Sequence, residues 1–406
     1  MTGGITRSIL ALAYGFLIIG HCTVLHAQSD TDPAVITHGP LSFEPLIDVE
    51  LSYDDNIFRS AADEVDSWVM RLKPTLNTVI DSDGQVYTFT YTGDYGFYAN
   101  SGDDDYNDHD FYAGAELNLN RRNQLNLAAS YTMGHQDRGT GITEGMDPNN
   151  PIVDSPIELD TTELDAEYTL GSTESTNRLV LAGRYQDIQY QNYPDLTRFL
   201  SRDGTRAGAT YYYRVRPATS LLAEVIVYDV SYDLTRHGTA SLDSKSIRYR
   251  VGATWDITEQ TSGTVKLGQV DRKFDDNARE DFSAFDWDVN IRWSPRSYSH
   301  IDLVTARPVQ EAYGGADFID TELYAAHWTH EWTERLETRL GATYLKEVFE
   351  GSIREQETFK YDMTLTHQWR RWLSFELGAS FSDRDSNIDR LIFDRTVFWL
   401  SASFSL

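Results

Sequence analysis

The sequence predicts a transmembrane antiparallel β-barrel of about eighteen strands, with short turns at one end and longer loops at the other. Three observations predict it. Apolar and polar residues alternate with period two in nearly every segment after Pro45. The segments run about ten to fifteen residues, the reach of tilted membrane strands, whereas soluble strands average about five or six. The connections alternate between tight turns and longer, more acidic stretches. A soluble sandwich gives one such stripe, not a whole chain of them at this length.

The chain opens with Arg7, then, after one serine, the apolar run ILALAYGFLIIG, then small and polar residues up to Leu25-His26-Ala27. That is the order of a secretory signal peptide, so residues 1–27 are expected to direct Sec export and to be removed. No later run reaches eighteen apolar residues, which excludes a helical membrane protein. Bulky His21, just before Cys22, stands where a lipoprotein site needs a small residue, so lipidation is not expected. With Cys22 removed, the mature chain has no cysteine for disulfides or thiolate metal sites. Residues 28–44 are polar with two prolines, Pro33 and Pro40, and form a short periplasmic segment too small for a plug domain.

The barrel is expected over 45–406. Its first strands are 46–58, 66–80 and 84–99, the last two joined by the tight turn Asp81-Ser82-Asp83-Gly84. The acidic stretch Ser101-Gly102-Asp103-Asp104-Asp105 leads into 106–120, where Phe111, Ala113, Ala115, Leu117 and Leu119 alternate with Glu116, Asn118 and Asn120. Arg121-Arg122 turns the chain into 123–138, and the longest connection, 139–157, follows. Next come 158–171, 175–190 and 200–216, with Arg216-Pro217-Ala218 turning into 218–234, then 242–257, 260–274 and 280–295. In 280–295 the stripe Phe285, Trp287, Val289, Ile291, Trp293 opposes Asp286, Asp288, Asn290 and Arg292, and Ser294-Pro295-Arg296-Ser297 turns into 297–311. The remainder is 315–332, 334–350, 354–370, 372–384 and 390–405. In 372–384 Leu373, Phe375, Leu377, Ala379 and Phe381 oppose Ser374, Glu376, Gly378 and Ser380. The final stripe, Phe398, Leu400, Ala402, Phe404 and Leu406, is similar to the terminal signal of barrel assembly, except that it ends in Leu406 instead of an aromatic. An even strand count puts both termini in the periplasm.

The chain holds 35 basic and 63 acidic residues, a net charge of -28, which argues against a nucleic-acid partner. Such acidity often marks disorder, but 13% aromatic residues, with 24 Tyr and 9 Trp, are too many for a disordered chain. A barrel reconciles the two, because only every second strand residue must be apolar while lumen and loops carry charge.

Catalytic patterns are missing: there is no Gly-x-Ser-x-Gly and no phosphate-cradling glycine loop, so no enzyme and no cofactor is expected. His327 and His330, three apart on a strand, point to opposite faces and cannot share a metal. Asp103, Asp104 and Asp105 with Asp108 have the carboxylate chemistry of a Ca²⁺ site, but read first as a solvated external loop.

With each apolar stripe turned to lipid, Arg184, Arg206, Arg214, Arg248, Arg250, Lys266 and Arg292 fall on the lumenal register of strands seven to twelve, as a basic wall. Facing or interleaved with it stand Glu224, Asp256, Asp286, Asp288, Glu337, Asp362 and Glu376. Two readings stay open: the charges pair and keep the wall wet and rigid, or they form a track for an anionic or polyhydroxyl solute. Tyr212 and Tyr228, in the same register, suit stacking on sugar rings and equally suit an interfacial girdle. The long connection carries Glu144, Asp147 and Asp154 among Pro148, Pro151 and Pro156, and is expected to fold inward as a constriction.

The first strand, Leu51-Ser52-Tyr53-Asp54-Asp55-Asn56-Ile57-Phe58-Arg59-Ser60, resembles the opening of the β-barrel porins of the second type, and NRRNQLNLAASYTMGHQDRG at 120–139 looks like a later hairpin of that family. The resemblance implies an outer-membrane partner of a polysaccharide assembly and export pathway, surrounded by lipid and lipopolysaccharide and meeting periplasmic export proteins. It supplies no residue-level mechanism. Three functions stay in view: a channel for exopolysaccharide or capsule export, a diffusion porin for small solutes, and a non-conducting scaffold. An eighteen-strand lumen is wide enough for water, which favours a channel.

Overall fold

The computed structural model describes residues 35–147, 152–258 and 260–405. The expected signal peptide, Pro148, Pro151 and Leu406 lie outside the described residues. Eighteen strands form one closed antiparallel barrel. They are β1 Leu41–Asp54, β2 Ser67–Ser82, β3 Gln85–Tyr98, β4 Tyr106–Asn120, β5 Asn123–Gln136 and β6 Ile157–Leu170. They continue as β7 Asn177–Tyr190, β8 Arg202–Arg216, β9 Thr219–Tyr232, β10 Ser244–Thr258, β11 Thr261–Phe274 and β12 Phe282–Arg296. The last six are β13 Ser299–Ala306, resumed at Val309–Glu311, then β14 Phe318–Thr333, β15 Leu336–Glu350, β16 Glu355–Arg370, β17 Leu373–Ser386 and β18 Phe393–Ser405. Each strand pairs with its sequence neighbours, and β1 closes the ring on β18 through pairs from Leu46–Ser405 to Asp54–Val397. Closure leaves no unpaired edge, which a lipid environment requires.

The outer surface is the apolar stripe of every strand. Leu51, Met70, Phe89, Leu164, Leu267, Phe285 and Leu400 are all exposed there, between 43% and 57%. In a soluble protein such a belt would be a liability; around a barrel it is the lipid contact. On the opposite register stand Glu50, Arg71 and Asp94.

Two elements differ from the sequence expectation, each for a local reason. The first strand starts at Leu41, inside the segment 28–44, because Leu41 to Pro45 pair with Ile80 to Leu76 and a short strand, Ile36–His38, folds back onto it. It ends at Asp54 and not at 58: Asp54 Oδ1 accepts the Asn56 N–H at 3.0 Å, and the fully buried Asn56 side chain binds the Ser60 N–H and the carbonyls of Ser60 and Asp394. Such a side-chain turn competes with the ladder and stops it. The thirteenth strand is interrupted at Arg307-Pro308, where proline has no N–H to give. Arg307 instead grips Asp320 of β14 at 2.9 and 2.5 Å.

The chain reverses tightly at Asp83-Gly84, Arg121-Arg122, Pro217-Ala218 and Arg371-Trp372, while the other end carries the longer connections, among them 55–66, 137–156, 191–201, 233–243 and 387–392. These define a turn end and a loop end.

Candidate functional site: the lumen and its mouth

The lumenal register follows from the ladders. Around the barrel one row runs Val180, Thr210, Glu224, Arg250, Gly268, Asp286, on β7 through β12. Gly268 has no side chain, so Arg250 reaches across β11: its Nε lies 2.6 Å from Asp286 and its Nη1 2.9 Å from Asp288. Arg248 Nε lies 2.9 Å from the same Asp286. Lys266 donates to Glu224 at 3.0 Å, and Glu224 sits 3.7 Å from Arg250. Arg248, Arg250 and Lys266 are thus matched by Glu224, Asp286 and Asp288 in one lattice, in which Asp286 is 0% exposed.

Most of the cations of the expected basic wall of β7 to β12 stand in ion pairs. Over β9 to β12 it is neutralised by the lattice, and Arg292 is held by Asp302 of β13 in two bonds of 2.6 and 2.9 Å. Arg184 binds Asp165 of β6 at 2.6 Å. The lumenal registers of β7 and β8 carry Arg178, Arg184, Arg202, Arg206 and Arg214 and no carboxylate of their own among the described residues. Arg214 reaches the Thr173 carbonyl near the turn end. Tyr212 and Tyr228 face the lumen beneath guanidinium groups, Arg178 at 4.1 Å and Arg206 at 5.3 Å, so one ring face of each is already covered.

The remaining acids stand apart from the lattice. Asp256 is exposed near the turn end, and its backbone N–H is given to Ala218. Glu337 shares the lumenal row of Glu331 and Thr366. Asp362 meets Lys360 at 3.2 Å, and Glu376 accepts from Trp399 Nε1 at 2.9 Å and Thr366 at 3.2 Å. Sequence reasoning missed a larger acidic face on β1 to β6. There Glu50, Asp94, Asp110, Glu116, Glu163, Asp165 and Glu167 share the lumenal register with few cations, Arg71 and Lys73. Arg71 is tied to Asp94 at 2.6 Å. The signal was present, since these acids alternate with aromatic and aliphatic residues as regularly as the basic set does. The lumen thus has an acidic side against a basic one, with the seam at Asp165 and Arg184.

At the loop end the first part of the connection, residues 137–147, turns inward. Its root is fixed by Asp137, which takes Arg59 at 3.2 Å and His135 at 3.1 Å. Burial works to raise the Asp137 carboxyl, but the His135 bond and the Arg59 and Arg395 charges outweigh it and hold it far below the usual range. Next, Arg138 binds Asp104 at 2.7 and 2.5 Å and lies over the Phe58 ring. Asp104 is thus buried in an ion pair, and the expected solvated run is divided: Asp105 accepts the Tyr98 N–H and Asp108 holds His135. These carboxylates do not converge. Gly139, at φ +80°, lies so close to Phe58 that a Cβ would sit 1.8 Å from its carbonyl oxygen.

From there the loop reaches the opposite wall. Glu144 Oε1 accepts from Arg384 Nη1 of β17 at 2.8 Å, while Oε2 accepts from Arg354, at the foot of β16, and from Tyr313 Oη at 2.8 Å. The Glu144 side chain is only 6% exposed. Burial alone would raise its carboxyl, but Arg384 and Arg354 hold it below the ordinary glutamate value. Burial and the Glu144 charge push the Tyr313 phenol up, so it stays a donor. Asp154 accepts from Tyr193 Oη at 2.6 Å, which ties the second half of the loop to the connection 191–201. Asp147 is exposed beside Met146, Phe58 and Val153.

The sequence profile of the family described as "Putative beta-barrel porin 2" matches residues 30–405. A search of curated protein sequences finds no match. Among solved structures, a BenF-like porin from Pseudomonas fluorescens Pf-5 is similar at a TM-score of 0.50 and 10% identity, over 90% of this chain and 99% of that one. The outer membrane protein OpdK from Pseudomonas aeruginosa gives 0.48 at 10% identity, over 90% and 99%. The FrpB iron transporter from Neisseria meningitidis gives 0.46 at 7%, over 84% and 62%. The likeness to the BenF-like porin speaks for the barrel fold alone and says nothing of the solute. With the profile spanning nearly all of it and the ladders closing as they do, the chain belongs to the family of β-barrel porins of the second type and is a channel-type protein of the outer membrane.

Proposed function

We propose that this porin serves the export of a surface polysaccharide, exopolysaccharide or capsule, through a lumen kept shut at its mouth while no polymer is passing. The observation that carries the reading is the docking of Glu144 onto Arg384 and Arg354 across the mouth. A polymer needs a wide barrel, and a wide barrel standing open would leak small solutes. A loop whose ion pairs across the mouth all run through one buried carboxylate answers both needs, because it closes the path and lets go of the far side by losing few contacts. The family resemblance points the same way. On this reading the outer belt sits in lipid and lipopolysaccharide, and the turn end faces periplasmic export proteins.

A diffusion porin for small solutes is the second reading, favoured by the anchoring of the loop at Asp137 and at Asp154. The two are separated by deleting the gene in its own host and measuring surface and periplasmic polysaccharide. Polymer retained in the periplasm, and restored to the surface by the wild-type gene, supports export. Unchanged surface polymer together with slower uptake of small solutes overturns it in favour of diffusion, and no change in either leaves a scaffold.

A further inference from the structure

We propose that Arg354, Arg384 and Tyr313 form a carboxylate-binding site in the mouth of the barrel, that Glu144 fills it as a tethered ligand, and that a carboxylated sugar displaces Glu144 and frees the loop. The proposal rests on the export reading only for the source of the carboxylate, a uronic acid in the polymer.

The site is built without help from the loop. Arg354 is held by Gln356 Oε1 at 3.0 and 2.6 Å and lies 3.8 Å over the Phe349 ring. Arg384 donates to Thr358 Oγ1 at 3.2 Å and lies 4.9 Å over Phe393. Their side chains are 13% and 4% exposed. Planar guanidinium groups fixed in this way are pre-organised for one carboxylate, and the Tyr313 hydroxyl supplies a third donor.

Charge explains why the site needs an anion. Glu347 is the other carboxylate at this place, and it is occupied by Gln356 Nε2 at 2.6 Å. Two arginines against Glu347 alone leave one positive charge in a nearly dry setting, which is costly unless an anion enters. The uronate carboxylate has the same charge and the same two oxygens as Glu144, so the exchange moves no proton and leaves the balance unchanged. What it alters is the loop: once Glu144 leaves, the connection keeps its root at Asp137 and its tie at Asp154 but loses its hold on the far wall. A ligand that binds only the released state shifts the population toward it.

The test uses the full chain in planar bilayers with sodium galacturonate added at the loop end, against glucose and sodium chloride of equal conductivity. Wild type is expected to conduct more in galacturonate than in either control. Glu144→Gln is expected to raise the open fraction by about tenfold or more without ligand, since truncating one partner of a buried charge pair is strongly unfavourable. It should then show no further response to galacturonate. A second readout does not depend on conductance: in Met146→Cys, with the signal peptide and its cysteine removed, labelling by an impermeant maleimide should quicken in galacturonate. A wild type indifferent to galacturonate by both readouts overturns the proposal, as does a Glu144→Gln channel that conducts like wild type. A response to oligogalacturonate as well as to the monomer identifies the polymer as a source. If the monomer opens the channel while a deletion strain still displays its polysaccharide, the site stands and the export reading fails.

Discussion

Glu144 and Arg384 stand 240 residues apart in sequence and 2.8 Å apart in the mouth of the barrel. That contact fastens the longest connection to the barrel wall, and its chemistry gives it a pH dependence. The docked carboxyl lies below the ordinary glutamate value of 4.5, so docking is fully stabilised above 4.5 and is lost as pH falls through the depressed value. The groups facing it are Arg354 and Arg384, which keep their charge, Tyr313, which stays protonated, and Glu347 and Arg390 nearby. Conductance is therefore expected to be constant from neutral pH down to about 5 and to rise below 4.5. Glu144→Gln should remove the rise.

The ion-pair lattice makes a stability prediction. Asp286 serves Arg248 and Arg250 together, at 2.9 and 2.6 Å, with no exposed surface. Asp286→Ala leaves two guanidinium groups short of their shared carboxylate and should cost about 3–5 kcal/mol, the range for breaking a buried pair from one side. Urea unfolding of the refolded barrel in liposomes measures it. A loss under about 1 kcal/mol would show the lattice to be solvated like a surface pair.

Selectivity follows from where charge stands along the lumenal registers. Removing Arg292 together with Asp302, as the double change to Ser, takes away a neutral pair and should leave the reversal potential across a salt gradient unchanged. Changing Arg178 and Arg206 to Ser removes positive charge from β7 and β8, whose lumenal registers hold no acid, and should shift selectivity toward cations. Equal shifts in the two proteins would contradict the division of the lumen into an acidic and a basic side.

Much of this was legible in the sequence because a strand has only two faces. Once the apolar stripe of 285–293 is turned to lipid, Asp286, Asp288 and Arg292 must face inward, and a slip of one residue would place all three in hydrocarbon. Partners were not legible. That Arg250 reaches Asp286 depends on Gly268 standing between them, which needs the register of three strands at once. The stop at Asp54 was hidden because Asn56 finds its partners at Ser60 and, across the ring, at Asp394. The docking of Glu144 has no sequence signal at all, since nothing local ties it to Arg354 or Arg384; only the excess of acids and prolines marked its loop as worth watching.

A close backbone approach sets a further expectation. Gly139 has φ +80° and no room for a Cβ beside the Phe58 carbonyl, so Gly139→Ala should lift the start of the loop away from the connection 55–66. Proteolysis of the intact barrel by trypsin, which cleaves after Arg138, should become faster, while the strands stay protected.

The placement of the loop is tested most directly by its removal. In a protein with residues 140–155 replaced by a short glycine linker, the Glu144 contact and the Asp154 tie are both gone while all eighteen strands remain. Single-channel conductance in planar bilayers, compared with wild type in the same salt at neutral pH, is expected to rise severalfold with no change in strand content by circular dichroism. A conductance equal to that of wild type would contradict an inward-docked loop and put the connection outside the path.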